Sequence, residues 1–220
     1  MRTVEEMIQG VKAKASHEFT GEEITEGLRE LVRQGVGVEE SLPYLLAALE
    51  KLPMNIEVID NVAGAYEALR DYDKAMFYFE KVLEQDPQHD LAWESVYWCK
   101  YLHIVDKDEA LRLAEEYGTL LSNSEGTFDQ YVELAYIHKF VTKNAQKELN
   151  ALLAALDHEP NHIPILNELS HLYRRKLEKS DDEKGMFYTK QVLALDPENE
   201  TALESLKHMQ KAWARKILAS

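Results

Sequence analysis

The chain has 220 residues, of which 45% are hydrophobic and 30% are charged, a composition typical of a globular protein with a sizeable core. Its nine glycines and six prolines are too few for a turn-rich β protein and favour helices. The single cysteine excludes an internal disulfide framework and fits a reducing compartment. No segment has the length and apolar character of a membrane span or a secretory leader, so we expect a cytoplasmic protein without a membrane anchor.

Acidic residues outnumber basic residues by 40 to 25, which gives a formal net charge of −15. Residues 1–110 hold 11 Lys and Arg against 23 Asp and Glu, so they carry −12 of that charge. Such a surface repels phosphate backbones, and the charge therefore argues against binding to nucleic acid. The acidic residues serve either as a solvated surface or as an attraction for a basic partner.

The N-terminal segment, residues 1–21, has the pattern of a short amphipathic helix. Thr3 and Glu6 are spaced as a capping box, which begins a helix. The apolar stripe that follows consists of Val4, Met7, Ile8 and Val11. We predict that this helix caps the N-terminal end of the fold or packs on a second chain.

Two segments of the chain resemble each other. Asp71–Pro87 reads DYDKAMFYFEKVLEQDP and Asp181–Pro197 reads DDEKGMFYTKQVLALDP, so nine of 17 positions agree without a gap. Each has apolar residues at helical spacing and ends at Asp-Pro, where proline disfavours helical geometry in the residue before it. Similar stops follow apolar runs at Pro53 and Pro160. A second helical pattern precedes each of these helices, which predicts a series of helical hairpins.

The best-matched hairpin unit is 56–89. Its first helix carries Ile59, Val62, Ala63 and Tyr66, and its second helix carries Ala75, Phe79, Val82 and Pro87. This 34-residue pattern resembles the tetratricopeptide repeat family. The resemblance implies an all-α, right-handed α-solenoid of about five helix-turn-helix repeats, because each hairpin is too small to bury its own apolar face. The predicted repeats are 22–55, 56–89, 90–124, 125–162 and 163–199.

The other repeats match less closely. In the third unit, the alignment of residues with the slots of the repeat pattern is open, because the segment between its helices is one residue longer. In the fourth unit we align Val132 and Ala135 with the apolar slots of the first helix. The fifth is stretched by extra residues around Glu178–Asp182. Residues 200–220, which include Trp213, continue the helical pattern and are predicted to form the C-terminal capping helix.

Catalytic and metal-binding patterns are weak. His158 and His162 have the spacing of a helical zinc motif, but Pro160 breaks the helix between them. Cys99 lies inside an apolar helix and is predicted to be a core thiol. No glycine-rich phosphate loop occurs. We therefore expect a protein that is not an enzyme and has no cofactor and no metal site.

The resemblance places a partner-binding groove along the first helix of each repeat. One face of those helices is acidic at first, then aromatic and apolar, and this order favours a basic or amphipathic peptide segment. Gly64 and Glu67 lie on the same predicted face. The residues predicted to line the groove are Glu57, Asp60, Asn61, Glu94, Trp98, Tyr101, Glu133, Ile137, Phe140 and Arg174.

We predict a non-catalytic adaptor or scaffold that binds a protein or peptide. Three other functions stay open at this point. The first is a chaperone for a specific client protein. The second is a homo-oligomeric assembly unit that forms a homodimer through its N-terminal helix and groove face, and the third is an enzyme on a helical scaffold. Because a one-residue error of register would return Trp98 and Tyr101 to the core, their exposure decides how far the groove hypothesis extends.

Overall fold

A computed structural model describes residues 3–15, 18, 20–177 and 181–218, and the side chains of 175, 176 and 212–218 are outside the description. The predicted insertion at Glu178 and the predicted apolar contact of Trp213 therefore lie outside the described residues. Every regular element in the described part is helical, which confirms the all-α class. The helices are α1 (Val4–Ala13), α2 (Gly21–Arg33), α3 (Val38–Lys51), α4 (Ile56–Ala68), α5 (Tyr72–Gln85), α6 (Asp90–Cys99), α7 (Lys107–Asn123), α8 (Phe128–Ile137), α9 (Ala145–His158), α10 (Ile163–His171), α11 (Asp182–Leu195) and α12 (Glu200–Leu218).

The chain divides into two compact units, which we call unit 1 (Met1–Ile104) and unit 2 (Val105–Ser220). In unit 1, α4 and α5 pack as a hairpin, and α1 packs on α3. In unit 2, α8 packs with α9 and α10 packs with α11. The division falls inside the segment 90–124, so α6 belongs to unit 1 and α7 belongs to unit 2.

Side chains at the helix starts explain why the helices begin where they do. The predicted capping box of Thr3 and Glu6 is present, and Thr20 and Thr127 form the same motif at the starts of α2 and α8. In each motif the threonine hydroxyl accepts a hydrogen bond from a backbone N–H that has no partner inside the helix. The helix starts are therefore encoded locally.

Three first helices end in a π-helical segment: α6 at Lys100–Ile104, α8 at His138–Thr142 and α10 at Leu172–Lys176. In the second repeat, the N-cap residues of the two helices are Asn55 and Asp71, which are 16 residues apart. In the fourth repeat, the two N-cap residues are Thr127 and Asn144, which are 17 residues apart. A π turn holds more residues than an α turn, so it accommodates the additional residue while the next helix keeps its place.

The core of unit 1 begins at the N-terminal helix. Met7 and Val11 of α1 are buried in one apolar cluster with residues of α2, α3 and α4. A Cβ atom on Gly27 would collide with the hydroxyl of Tyr44, which donates a hydrogen bond to the Ile24 carbonyl over 3.3 Å. Glycine at this position therefore permits the close packing of α2 on α3.

The internal sequence repeat has a structural counterpart in both units. In unit 1, the ring of Tyr78 stacks on that of Tyr66 with centroids 5.6 Å apart, and the ammonium of Lys74 lies over Tyr66 at 5.0 Å. In unit 2, Tyr188 stacks on Tyr173 at 5.8 Å, and the ammonium of Lys184 lies over Tyr173 at 5.1 Å. The shared Lys and Tyr of the two segments therefore make the same contact between the first and second helix of a hairpin.

Candidate functional site

Acidic side chains lie together on one face of α4. Asp60, Gly64 and Glu67 are four and three residues apart, so they lie on the same side of an α-helix. Gly64 is exposed, and no other atom lies within 4 Å of the position that a Cβ would take there. We call Glu57, Asp60, Gly64 and Glu67 the α4 acidic face. Within this face, Asp60 and Glu67 lie on either side of the open position at Gly64.

The fold raises the pKa of two carboxyl groups on the α4 acidic face. The Asp60 Oδ1 atom is buried and has no hydrogen-bond partner, and burial raises the pKa of this carboxyl, although the nearby His89 acts in the opposite direction. Burial also raises the pKa of Glu67, and the charge of Asp60 raises it further. Ionisation of either carboxyl therefore has a free-energy cost in the folded chain, which a cation between them would reduce.

The neighbouring predicted residues have different roles. The amide nitrogen of Asn61 donates one hydrogen bond to Thr25 Oγ1 and one to the Glu57 carbonyl, both over 2.8 Å. Asn61 thus holds α4 against α2 and is engaged within the protein. The side chains of Glu57 and Glu94 are exposed to solvent. Glu57 is thus the solvent-exposed acid of the α4 acidic face, and Glu94 of α6 adds a further exposed negative charge in unit 1.

Trp98 and Tyr101 do not form the joint exposed anchor that the sequence predicts. Trp98 is half-buried and packs against Tyr72 and His103, with ring centroids 5.6 and 4.5 Å away. Tyr101 is buried and stacks on Tyr97 with centroids 6.4 Å apart. The π-helical segment begins at Lys100, between the two residues, so the angular spacing of an α-helix does not hold from Trp98 to Tyr101.

In unit 2, Ile137 and Phe140 are buried, which corrects the prediction that they line an open groove. The first helix of the fourth repeat begins after Thr127, and its π segment holds the one residue by which the distance between its two helix starts exceeds that of the second repeat. A register that takes the spacing of the second repeat and is aligned on α9 therefore places each residue of α8 one position away from its true place. Phe140 stacks on the buried Tyr136 with centroids 5.9 Å apart. Glu133 is partly exposed.

Arg174, another predicted groove residue, lies in the π segment of α10. It is half-buried, and a Cβ on Gly185 of α11 would collide with its side chain. Its aliphatic stem therefore packs against α11. The structure brings the predicted acids of α4 together, and it places the aromatic and apolar residues of α6 and α8 largely in the interior.

His89 is a neighbour of Asp60 that the sequence reasoning missed. It forms the N-cap of α6, where its Nδ1 accepts a hydrogen bond from the Ala92 N–H over 3.3 Å. The sequence contains a signal for this N-cap position, because, where a repeat ends in proline, the first helix of the next repeat begins shortly after it. His89 stands two residues after Pro87.

The histidines that suggested a zinc motif are separated by a helix end. α9 ends at His158, which is exposed, and His162 is the buried N-cap of α10. Burial lowers the pKa of His162 to about 4. Among the described residues, no group of three or more His, Cys, Asp or Glu side chains is arranged to hold a metal ion.

Comparisons with known proteins bear on the repeat itself. Residues 56–89 match the family model of the tetratricopeptide repeat. The chain carries a tetratricopeptide repeat. The match coincides with the predicted second repeat, α4 and α5, and therefore with the helix that carries the α4 acidic face. The predicted resemblance to this family is confirmed.

Solved structures with some likeness to the chain include MamA residues 41 to the end from Desulfovibrio magneticus RS-1, at 22% identity, covering 82% of this chain and 97% of that one with a TM-score of 0.39. Another is YrrB, described as a tetratricopeptide repeat protein with an unusual peptide-binding site, at 15% identity, covering 82% and 88% with a TM-score of 0.38. No curated protein matches the sequence. Within the described part of the chain, no helix is both long enough and apolar enough to cross a bilayer.

Proposed function

We propose that the chain is a cytoplasmic, non-catalytic adaptor that binds a basic, amphipathic segment of a partner protein on the face of α2, α4 and α6. The observation that carries the proposal is the pair Asp60 and Glu67, which flank the open space above Gly64. First helices of tetratricopeptide repeats are where this family generally takes its partner segments. The α4 acidic face lies on such a first helix.

The physical argument is one of charge complementarity. A Lys or Arg side chain of the partner that enters between Asp60 and Glu67 gains Coulomb energy in a partly desolvated place, where the attraction is screened less than at an exposed site. It also removes the mutual repulsion of the two carboxylates. Exposed Glu57 and Glu94 add long-range attraction, which accelerates the encounter with a basic segment and weakens with salt.

The test is a binding titration with a labelled amphipathic helical peptide of Lys and Leu, followed by fluorescence anisotropy. We expect saturable binding that weakens with salt and is absent for the equivalent peptide of Glu and Leu. The double variant Asp60→Asn, Glu67→Gln is expected to bind about tenfold more weakly, which corresponds to about 1.4 kcal/mol.

The matched control removes the same charge from the exposed outer surface of α5, with Glu80→Gln and Glu84→Gln. This control is expected to weaken binding by less than about twofold, because exposed charges are screened. Equal weakening in the two double variants would show that only the net charge of the chain matters, and the assignment to the α4 acidic face would then be wrong.

A specific observation supports one other function, homo-oligomeric assembly. Phe77 and Phe187 hold equivalent places in the two similar segments and are 50% and 55% exposed. Exposed apolar surface marks a protein–protein contact where it forms a continuous patch, as two such phenylalanines would when two copies of the chain meet. Light scattering over a range of concentrations tests this function, and a mass that stays monomeric in wild type and in Phe77→Ser excludes it.

A further inference from the structure

A cleft with a volume of about 680 Å³ lies within unit 2, between α7 on one side and α8, its π segment and α9 on the other. Its walls include Ala114 and Gly118 of α7, and its other side includes Leu134, His138 and Lys147. The volume is within the range of pockets that hold small ligands, about 300–1,000 Å³.

The repeat register explains why this space exists. Counted from the N-cap residue, α5 and α9 carry large apolar side chains at the eighth and twelfth positions, where α7 carries Ala114 and Gly118. The large residues are Phe79 and Leu83 in α5 and Leu152 and Leu156 in α9. No other atom lies within 4 Å of a Cβ position on Gly118. The cleft therefore corresponds to the space that these large side chains fill in the second and fourth repeats.

His138 supplies a polar group inside this apolar space. Its side chain is 6% exposed and belongs to the cleft lining. Its Nδ1 lies 2.9 Å from Thr142 Oγ1, whereas its Nε2 makes no hydrogen bond within the described part of the chain. Burial lowers the pKa of His138 to about 4, so the ring is neutral at physiological pH. Nε2 is not one of the fully buried atoms that lack a hydrogen-bond partner, so it is accessible from the cleft, where a bound molecule could pair with it.

Lys147 brings positive charge to the same end of the cleft. It is exposed, and its ammonium makes no ion pair with the described residues. Its charge is close enough to contribute to the lowered pKa of His138. The acidic residue of the lining, Glu115, is exposed on α7. The end of the cleft near His138 and Lys147 therefore favours an anion, while the walls at Ala114 and Gly118 favour an alkyl chain.

We propose that this cleft binds a small amphipathic carboxylate, with its alkyl chain beside Ala114 and Gly118 and its carboxylate between Lys147 Nζ and His138 Nε2. In that arrangement the Thr142 hydroxyl gives up its 3.4 Å hydrogen bond to the His138 carbonyl and donates to Nδ1 instead, so that the neutral ring carries its proton on Nε2 and donates it to the carboxylate. The site shares no residue with the α4 acidic face, so it stands or falls independently of the proposed function.

The probe is hexanoate, titrated against the full chain while the ring resonances of His138 are followed by NMR. We expect saturable shifts at millimolar hexanoate, and a binding constant for hexylamine at least about tenfold weaker, because the cation meets Lys147. Gly118→Leu restores the residue type of the other repeats and is expected to fold and to abolish the shifts. Lys147→Gln is expected to weaken hexanoate binding about tenfold.

Matched controls are available on the exposed surface of α11. Ala194→Leu adds an apolar side chain and Lys190→Gln removes a charge, both outside the cleft, and both are expected to bind hexanoate as wild type does. Unsaturated shifts at about 10 mM hexanoate, or equal binding of hexylamine, would overturn the proposal. Undiminished binding in folded Gly118→Leu would also overturn it. If that variant does not fold, Lys147→Gln and the comparison of the two probes decide the matter.

Discussion

The ammonium of Lys139 lies 2.8 Å from a carboxylate oxygen of Glu168, and the two side chains are only 9% and 14% exposed. Lys139 belongs to the π segment that ends α8, and Glu168 belongs to α10. The ion pair therefore joins two consecutive hairpins of unit 2. Lys139 also lies over the rings of Tyr136 and Phe140, at 5.3 and 5.2 Å. The additional residue of the fourth repeat thus lies in a segment that contributes to the contact between repeats.

Removal of one partner of this pair is expected to destabilise the chain. Lys139→Met leaves the Glu168 carboxylate without its ammonium partner in a low-dielectric place, and such changes cost about 3–5 kcal/mol. Urea unfolding monitored by circular dichroism measures the loss. Arg112→Met is the control, because Arg112 pairs with Glu109 at an exposed site and such pairs contribute about 0–1 kcal/mol. Equal losses in the two variants would contradict the role assigned to burial.

Asp60→Asn is expected to raise the melting temperature at pH 7. Burial raises the pKa of Asp60 in the folded state above its unfolded value, so ionisation of this carboxyl opposes folding at neutral pH. The penalty decreases as the pH falls through the raised pKa and is absent below about pH 4, the ordinary range of an aspartate. Melting curves of wild type and variant between pH 3 and 8 are therefore expected to converge at low pH.

Glu84→Gln on α5 is the control for that experiment, since its side chain is exposed. Its effect on stability is expected to stay within about 0.5 kcal/mol, as for most surface substitutions. A lower melting temperature for Asp60→Asn at pH 7 would mean that the Asp60 carboxylate is stabilised by the fold. The electrostatic argument for a cationic partner would then lose its basis.

The hairpins were predictable because their signals are local. The Asp-Pro stops, the capping residues and the match over residues 56–89 all lie within a single repeat. The acids of α4 were predictable for the same reason, since Asp60 and Glu67 lie in the repeat with regular spacing.

The exposure of the later groove residues was not predictable in the same way. The prediction that Ile137 and Phe140 line the groove takes them from one face of the first helix, and that projection assumes 3.6 residues per turn throughout. The π segment at His138–Thr142 breaks the assumption, and its position depends on packing between helices that periodicity does not report. The sequence does not predict the cleft beside Gly118, because the absence of a large side chain is visible only when the repeats are placed in structural register.

Cys99 is expected to be unreactive in the folded chain. Its side chain is fully buried, and burial together with the charge of Glu67 raises the pKa of the thiol to about 12. Because the thiolate is the reactive form, modification by a disulfide reagent at pH 8 is expected to be at least about a thousandfold slower than for an unfolded control in denaturant. Rapid modification of the native chain would place the thiol at an accessible surface and contradict the core assignment.

Arg70→Gly is expected to stabilise the second repeat. Arg70 follows the C-terminal end of α4 with φ at 62°, in the left-handed region that side chains with a Cβ disfavour. Its N–H bonds to the Glu67 carbonyl over 2.9 Å and the Asp71 N–H bonds to the Tyr66 carbonyl over 3.0 Å, which is the hydrogen-bond pattern of a helix end that prefers glycine.

We expect Arg70→Gly to add up to about 1 kcal/mol to the free energy of unfolding, because glycine adopts this conformation without strain. Glu80→Gly, in the exposed interior of α5, is the matched control and is expected to lose about 1 kcal/mol, since glycine there only adds backbone freedom to the unfolded chain. Denaturant titration of the two variants and wild type measures both changes. If both variants lose stability equally, the left-handed geometry at Arg70 carries no strain, and the end of α4 is determined by packing against α5 instead.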